Sequence, residues 1–231
     1  CYAHDSLGVP IRCTQNPTMG EEWRNGWHPE KIIITKKRKK VLVVGSGPAG
    51  LEASRVLGKM GHKVALAEKS RELGGRIVTE AKLPGLSEWI RVRDWRITQI
   101  NKCQNIEVFP ESFMTADSVL ELGYEDVIIA TGARWAKDTI GRHSNCDFKK
   151  ADMKMIISGD EILESPIKSK SKFLIYDDDH YYFGSVLALE LRKKGHEVTL
   201  VSPAGRVCSW GEFTDEQSRS NTEVMKAGVQ V

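Results

Sequence analysis

Short apolar runs, separated by amphipathic or polar segments, dominate the hydrophobic pattern of the chain. The runs are rich in β-branched residues and predict strands that start at Val41 and continue at Lys63–Glu68, Ile106–Phe109, Asp126–Ala130, Lys172–Tyr176 and Glu197–Ser202, of which Asp126–Ala130 is predicted to be buried. Apolar residues at helical spacing predict helices at Leu51–Leu57, at Leu86–Lys102, after Thr115 and at Phe183–Lys194. Strands that alternate with helices form parallel sheets, so the pattern predicts an α/β protein.

The same pattern divides the chain into three parts. Residues 1–35 contain many turn-forming residues and little periodicity, and they predict an irregular, wrapped segment. Residues 36–140 hold the first four predicted strands, and residues 141–231 hold a second, incomplete unit of the same kind. The polar stretch Asp138–Lys172 predicts an irregular crossover between the two units.

Three glycines, Gly45, Gly47 and Gly50, follow the first apolar run at the spacing G-x-G-x-x-G. In a strand–turn–helix unit, the first permits the tight turn, the second lets the backbone approach a pyrophosphate, and the third lets the helix pack closely on the strand. Phosphates would bind free N–H groups at the helix N-terminus. Glu68 closes the second strand and would hydrogen-bond the ribose hydroxyls. The motif therefore predicts a Rossmann-like site for an adenosine diphosphate moiety, rather than a plain tight turn.

The predicted nucleotide site extends beyond the three glycines. An acid at the end of the second strand disfavours a 2′-phosphate, so ADP or FAD is expected here rather than NADP. Two further glycine turns, Gly74-Gly75 and Thr131-Gly132, approach the same site. The predicted cofactor-binding residues are Gly45, Ser46, Gly47, Pro48, Ala49, Gly50, Glu68, Lys69, Gly75, Arg76, Thr131 and Gly132.

The second unit repeats the spacing of the first but not its glycines. Lys193–Val198 echoes Lys59–Val64, and each contains a Gly-His pair just before a strand. The loop Asp177–Gly184 contains three carboxylates and bulky aromatic residues, with no glycine before Gly184. Negative charge and bulk at this position oppose a pyrophosphate. We therefore expect this unit to have kept the nucleotide-binding fold without the nucleotide.

Composition and charge argue against several functional classes. The 231 residues include 34 basic and 31 acidic side chains, and the net charge of +3 gives no argument for nucleic acid. The run Lys36–Lys40 is interpreted as a solvated entry into the first strand, with a nuclear-localisation or nucleic-acid role as the alternative. No apolar run approaches the length of a membrane span, and the first residues do not match a signal peptide. A cytoplasmic protein without membrane association is expected.

The cysteines lie at positions 1, 13, 103, 146 and 208, and this odd, scattered set argues against a disulfide framework. On spacing alone, Cys1 and Cys13 are more often structural than metal ligands. The chain starts on a cysteine and stops at Gly228–Val231, where a further strand is predicted to begin. A fragment of a longer protein is therefore expected.

Several stretches carry a family resemblance: CTQNPTMGEEWRNGWHPEK (Cys13–Lys31), VLVVGSGPAGLEASRVL, LPGLSEW, MTAD and VIIATGARW. With them, nearly the whole chain closely resembles the C-terminal half of the trimethylamine and histamine dehydrogenase family. Members of this family are related to 2,4-dienoyl-CoA reductase.

The resemblance implies an iron-sulfur flavoprotein. A (β/α)8 barrel in front of this chain would carry FMN and the catalytic residues, so no catalytic residue is assigned here. Cys1 and Cys13 would be the third and fourth ligands of a 4Fe-4S cluster, and ADP or FAD would occupy the first nucleotide-binding unit. Electrons from amine oxidation would pass through the cluster to an electron-transferring flavoprotein, and the intact protein would be a homodimer.

Two other functions stay open. One is an NADPH-dependent enoate or 2,4-dienoyl-CoA reductase with FAD in the first unit and NADPH in the second. The other is a non-catalytic module in which the nucleotide is a structural relic. The loop Asp177–Gly184 opposes a nicotinamide nucleotide and favours the amine dehydrogenase.

Overall fold

The computed structural model describes residue 13 and residues 15–26, 30–138, 140–141, 143, 153–165, 167 and 169–231. The chain forms two compact units. The glycine-motif unit comprises Thr14–Lys82 and Leu86–Ala133, and the C-terminal unit comprises Arg134–Val231 together with Leu83–Gly85 and Cys13. None of the helices in the described ranges is long and apolar enough to cross a membrane.

A four-stranded parallel sheet forms the centre of the glycine-motif unit. Its strands are β1 (Lys40–Val44), β2 (Lys63–Ala67), β3 (Ile106–Phe109) and β4 (Asp126–Ile129), in the order β3-β2-β1-β4. Its helices are α1 (Pro48–Met60), α2 (Ile77–Glu80), α3 (Ile90–Asn101) and α4 (Ala116–Glu121), with a 3-10 helix at Ser87–Trp89. Val41 lies opposite Val64 on one side and Asp126 on the other, which sets the register of the sheet.

β1 is buried on both faces of the sheet, which explains its continuous apolar run. Successive side chains of a strand point to opposite faces. Val43 therefore joins one buried cluster with Leu51 of α1 and Ile100 of α3. Leu42 and Val44 join a second cluster with residues of β2 and with side chains around α4. A strand buried on both faces has no polar position to alternate with.

The C-terminal unit contains a smaller parallel sheet. Its elements are α5 (Gly159–Glu164), β5 (Lys172–Tyr176), α6 (Tyr182–Lys193), β6 (Glu197–Val201) and α7 (Gln217–Lys226), with 3-10 helices at Met153–Met155 and Ser209–Thr214. β5 and β6 pair in parallel, and Gln230 forms a parallel bridge with Thr199 of β6. The two parallel sheets with their helices confirm the predicted α/β class.

The turn between helix and strand has the same hydrogen bonds in both units. Gly61 and Gly195 follow α1 and α6 with φ of 94° and 87°. The next residue is a buried histidine whose Nδ1 accepts a backbone N–H from the residue that precedes the neighbouring strand. His62 accepts from Lys39 at 3.2 Å, and His196 accepts from Ser171 at 3.3 Å. The repeat seen in the sequence is therefore a repeat of structure.

The prediction that Asp138–Lys172 is wholly irregular is wrong, because α5 lies within it. The side chain of Ser158 accepts the N–H of Glu161, and the Glu161 carboxylate accepts the N–H of Ser158. Such a capping box stabilises the start of a helix, and its S-x-x-E pattern was present in the sequence. The predicted helix Leu86–Lys102 is a 3-10 turn followed by α3. The helix α7 was not predicted, because its surface is mostly polar.

Candidate functional site

The turn between β1 and α1 places its three glycines in different surroundings. Gly45 has a φ of 100°, and a Cβ added to it would lie 2.3 Å from the carbonyl oxygen of Ala130. A Cβ on Gly50 would lie 1.8 Å from the carbonyl oxygen of Gly45. A Cβ on Gly47 would meet nothing within 4 Å. Packing therefore requires the first and third glycines, whereas the second faces open space.

The N-terminus of α1 is open towards this space. Gly47 is its N-cap residue with extended backbone (φ −63°, ψ 178°), no side chain caps the helix, and the first turn contains no acid. The first helical hydrogen bond runs from the Leu51 N–H to the Gly47 carbonyl at 2.9 Å. The N–H groups of Ala49 and Gly50 come before it, so they have no partner within the helix. Positive helix-end potential, free donors and open space together suit a phosphate group.

Glu68 ties the glycine turn to the end of β2. One carboxylate oxygen accepts both the N–H and the hydroxyl of Ser46 at 2.7 Å, and the other accepts the N–H of Ser70 at 2.9 Å. Burial would raise the pKa of Glu68, but the hydrogen bonds from Ser46 and Ser70 outweigh it and hold the pKa below its ordinary value. The carboxylate is thus kept ionised beside the glycine turn. Its predicted contact with ribose stays a prediction.

The other predicted glycine turns lie against the first one. The N–H of Gly74 donates to the Ser46 carbonyl at 3.0 Å, and a Cβ added to Gly75 would lie 3.1 Å from the Cα of Gly47. A Cβ added to Gly45 would lie 3.2 Å from the Cα of Thr131. The backbone segments therefore converge around the open N-terminus of α1.

The side chains predicted around this turn differ in how available they are. Those with exposed positions are Pro48, Ala49, Lys69, Gly75, Thr131 and Gly132. Arg76 binds other residues of the chain. Its Nε lies 2.7 Å from the Glu80 carboxylate, and its Nη1 donates to the Ala133 carbonyl at 3.1 Å. Glycine backbone and helix N–H groups, rather than this guanidinium, are the donors that face open space.

A buried ionic network was missed by sequence reasoning. Arg55 of α1 is 1% exposed, and its guanidinium binds Glu30 through two bonds of 3.0 and 2.9 Å. It also binds Glu52 at 2.6 Å, and Glu52 in turn binds Arg96 of α3 at 2.7 Å. Burial would lower the pKa of Arg55, but the hydrogen bonds and charges of Glu52 and Glu30 outweigh burial and hold this pKa above its ordinary value. The i, i+3 pair Glu52 and Arg55 was the signal available in the sequence.

A cavity of about 580 Å³ lies beside this network. Trp95 forms part of its wall and lies under the Arg55 guanidinium, 5.2 Å from ring centroid to Cζ. The lining residues are Gln15, Asn16, Pro17, Glu30, Arg55, Arg91, Asp94 and Trp95. The network thus connects the segment before β1 to α1 and α3.

The predicted cluster ligands are only partly covered by the structure. Cys13 is partly exposed, and Cys1 lies outside the described residues. The pairing of these two cysteines around a cluster therefore stays a prediction. Cys208, which has no predicted ligand role, is buried, and burial raises the pKa of its thiol.

Comparison with known proteins gives a consistent set of relatives. Residues 39–169 match the family described as pyridine nucleotide-disulphide oxidoreductase. Dimethylamine dehydrogenase of Hyphomicrobium sp. (strain x) is 36% identical to the chain, over 97% of the chain and 31% of its own length. The solved histamine dehydrogenase of Rhizobium sp. 4-9 is 41% identical, with a TM-score of 0.87 over 98% of the chain and 33% of its own. The 6-hydroxypseudooxynicotine amine oxidase of Pseudomonas geniculata N1 is 36% identical, with a TM-score of 0.93 over 100% of the chain and 34% of its own. The chain spans about a third of the length of these relatives.

Proposed function

The chain belongs to the pyridine nucleotide-disulphide oxidoreductase family, and from this premise we propose that it is the nucleotide-binding part of a flavoprotein amine dehydrogenase. The resemblance inferred from the sequence is confirmed by relatives named as amine dehydrogenases or amine oxidases. The proposal gives the glycine-motif unit the adenosine diphosphate group of ADP or FAD. It assigns no residue of amine oxidation to this chain.

One observation carries the proposal: the uncapped N-terminus of α1 opens onto the free space above Gly47. In the proposal, the N–H groups of Ala49 and Gly50 hold the phosphates. Gly45 and Gly50 keep the turn tight enough to present these N–H groups, and Gly75 and Thr131 enclose the same space. Ser46 holds Glu68 ionised, and Glu68 is assigned to the ribose hydroxyls. These residues fit an ADP group without a 2′-phosphate.

The intact enzyme, in this proposal, contains further groups. A flavin supplies the chemistry that accepts the hydride equivalent of the amine, and FMN is assigned to residues outside this chain. Cys1 and Cys13 serve as two of the ligands of a 4Fe-4S cluster. An electron-transferring flavoprotein accepts the electrons, and the enzyme is a cytoplasmic homodimer. The support for this wider part is the resemblance across Cys13–Lys31 and the relatives that span the whole chain.

The nucleotide released from the purified intact protein tests the proposal. We expect one adenine nucleotide, ADP, in the glycine-motif unit, identified by mass spectrometry after denaturation. Gly47→Val is the matched variant, because its side chain would occupy the open space and should remove the nucleotide from a folded protein. Bound FAD together with NADPH oxidation would instead favour the reductase. The absence of any adenine nucleotide from the folded protein would contradict nucleotide binding altogether.

A further inference from the structure

The loop after β5 brings three metal-binding side chains together in the C-terminal unit. The ligand atoms of His143, Asp178 and His180 all lie within 4.8 Å of one another. Oδ1 of Asp178 lies 3.7 Å from Nδ1 of His143 and 3.9 Å from Nε2 of His180. This loop is the counterpart of the glycine turn in the first unit, since each follows the first strand of its sheet and precedes a helix.

Two of the three ligand atoms are buried and have no hydrogen-bond partner among the described residues. His180 is 6% exposed, and its Nε2 has no hydrogen-bond partner among the described residues. Oδ1 of Asp178 is likewise buried and unbonded there. A buried polar atom that loses water without gaining a partner costs about 1–3 kcal/mol. The two atoms lie 3.9 Å apart, so one cation bound to both would satisfy both.

The remaining contacts bring the three residues together, and Nδ1 of His143 also lies 3.4 Å from the Asp178 carbonyl oxygen. The backbone N–H of His143 donates to Oδ2 of Asp178 at 2.9 Å, which leaves Oδ1 for another partner. The rings of His143 and His180 stack with centroids 4.1 Å apart and planes 8° apart. A Cβ added to Gly141 would lie 1.8 Å from Oδ2 of Asp178, so the backbone before His143 lies directly on the carboxylate. The N–H of His180 donates to Oδ1 of Asp177 at 3.1 Å.

We propose that His143, Asp178 and His180 bind a divalent transition metal ion, and that Zn²⁺ is its representative. Imidazole nitrogens with one carboxylate suit zinc and its neighbours, whereas Mg²⁺ and Ca²⁺ prefer oxygen ligands alone. Ligand atoms about 2.0–2.2 Å from a tetrahedral zinc ion lie about 3.3 Å from one another. Two of the separations, 3.7 and 3.9 Å, are close to that value. To direct both nitrogen lone pairs at one ion, the two imidazole rings must rotate out of their stacked arrangement. Three protein ligands leave the fourth position for water.

The charge of the loop agrees with a cation. Asp177, Asp178 and Asp179 follow β5 in sequence, and carboxylates at this place repel a phosphate but attract a metal ion. Asp177 directly follows β5 and is buried, and it is not counted as a ligand. The unit that lost the features of a nucleotide site thus has the features of a cation site.

Metal retention by the purified full-length protein tests the proposal. The protein is loaded with Zn²⁺ and desalted, and bound zinc is measured by plasma mass spectrometry alongside the unfolding temperature. We expect one more equivalent in the wild type than in His143→Gln or His180→Gln. We also expect at least about tenfold weaker zinc affinity in these variants, and a zinc-dependent rise in unfolding temperature that they lack.

His196→Gln is the matched control for this experiment. His196 is also a buried histidine of the C-terminal unit with an unbonded Nε2, but it is outside the cluster. This variant should retain zinc like the wild type, and any zinc held by cysteines would be equal in all the proteins. If His180→Gln fails to fold, His143→Gln carries the test, since the His143 side chain is 39% exposed. Equal zinc in the wild type and in His143→Gln would overturn the proposal.

Discussion

Gly47 and Gly50 belong to one motif, yet a methyl group would have a different effect at each. At Gly47 the backbone angles suit any residue, and the added Cβ meets open space. At Gly50 the same atom would lie 1.8 Å from a backbone oxygen that cannot move independently of the turn. The first position is therefore free to respond to a ligand, and the second is fixed by packing.

Alanine substitutions at these two positions separate binding from folding. Gly47→Ala should change the free energy of unfolding by less than about 0.5 kcal/mol, while ADP affinity falls because the methyl group occupies the phosphate space. Gly50→Ala should lose about 3 kcal/mol or more through overpacking. Urea unfolding and calorimetric titration with ADP measure the two effects. Unchanged ADP affinity in Gly47→Ala would place the phosphates elsewhere.

Glu68 should make the stability of the chain depend on pH. Its folded-state pKa is lowered, so its ionised form stabilises the fold above the ordinary value of 4.5. That contribution is lost as the pH falls through the lower, folded-state pKa. Glu68→Gln should lose roughly 1.5–3 kcal/mol at neutral pH. The gap to the wild type should narrow below pH 4.5, as measured by urea unfolding across this range. A gap that does not change with pH would show that the carboxylate charge is not involved.

At the residue scale, the sequence indicated which residues form the glycine turn, but not which side chains bond to one another. Gly45, Gly50 and Glu68 were recognisable because their spacing along the chain is fixed by the strand–turn–helix unit. The bond from Ser46 to Glu68 joins residues 22 apart and depends on a side-chain rotamer. Glu30 and Arg55 are joined across 25 residues. Such pairs carry no periodic signal, so only the folded chain shows them.

Among the elements, α5 depends most visibly on its cap. This helix has only six residues, and short helices gain little from propensity alone. Ser158→Ala removes the side-chain acceptor of the Glu161 N–H and should cost about 1 kcal/mol. Ser169→Ala, at an exposed serine of the same unit, is the control and should be nearly neutral. The midpoints of urea unfolding of the two variants measure this difference. Equal midpoints would mean that the capping box does not stabilise the unit.

The packing of α1 against α3 depends on Arg55. Arg55→Met keeps the length of the side chain but leaves the carboxylates of Glu30 and Glu52 without their buried partner. Both acids keep some exposure, at 34% and 25%, so we expect a loss of about 3 kcal/mol, the lower end for a broken buried pair. Arg91→Met removes a cation whose side chain is 72% exposed and should change stability by less than about 0.5 kcal/mol. Chemical denaturation measures the free energy of unfolding of both variants. Similar losses in the two variants would contradict the view that the buried position of Arg55 makes its ion pairs important for stability.

At the element scale, apolar patterning predicted the described strands, and β1 and β2 are buried as continuous apolar runs should be. The prediction that Asp126–Ala130 is a buried strand is wrong, because Val127 and Ile129 of β4 are 38% and 65% exposed. The patterning missed α7, which presents only Ser220 and Val224 as buried positions. It also missed α5, which is shorter than the window in which helical period can be recognised. Elements that bury little apolar surface leave little trace in the pattern.

For the whole molecule, the two units should respond to different ligands. Hydrogen exchange with added ADP should slow at residues 45–51 and in β1 of the glycine-motif unit, since bound phosphates stabilise the open helix end. Exchange in β5 and β6 should not change. Gly47→Val should remove the protection, and peptide-resolved mass spectrometry measures it. Equal protection in both sheets would contradict a single nucleotide site.

The architecture of the whole chain was largely predictable, since an echo such as Lys59–Val64 and Lys193–Val198 indicates two related units. The His143, Asp178 and His180 cluster was not, because His143 lies 35 residues before its carboxylate partner. The sequence predicted that the loop after β5 is unsuited to phosphate. It could not show that a histidine from the preceding segment lies beside this loop.

The shared turn around His62 and His196 has a consequence for how such a molecule can be altered. These histidines hydrogen-bond the backbone just before the amino ends of β1 and β5. The glycine turn and the loop Asp177–Gly184 follow the carboxyl ends of the same two strands. Assembly and recognition therefore reside at opposite ends of the same scaffold. By our two proposals, the six residues Gly45–Gly50 bind an anion and the loop Asp177–Gly184 contributes to a cation site. Duplication of such a unit, followed by replacement of the loop after its first strand, would give a protein a second ligand without a second fold.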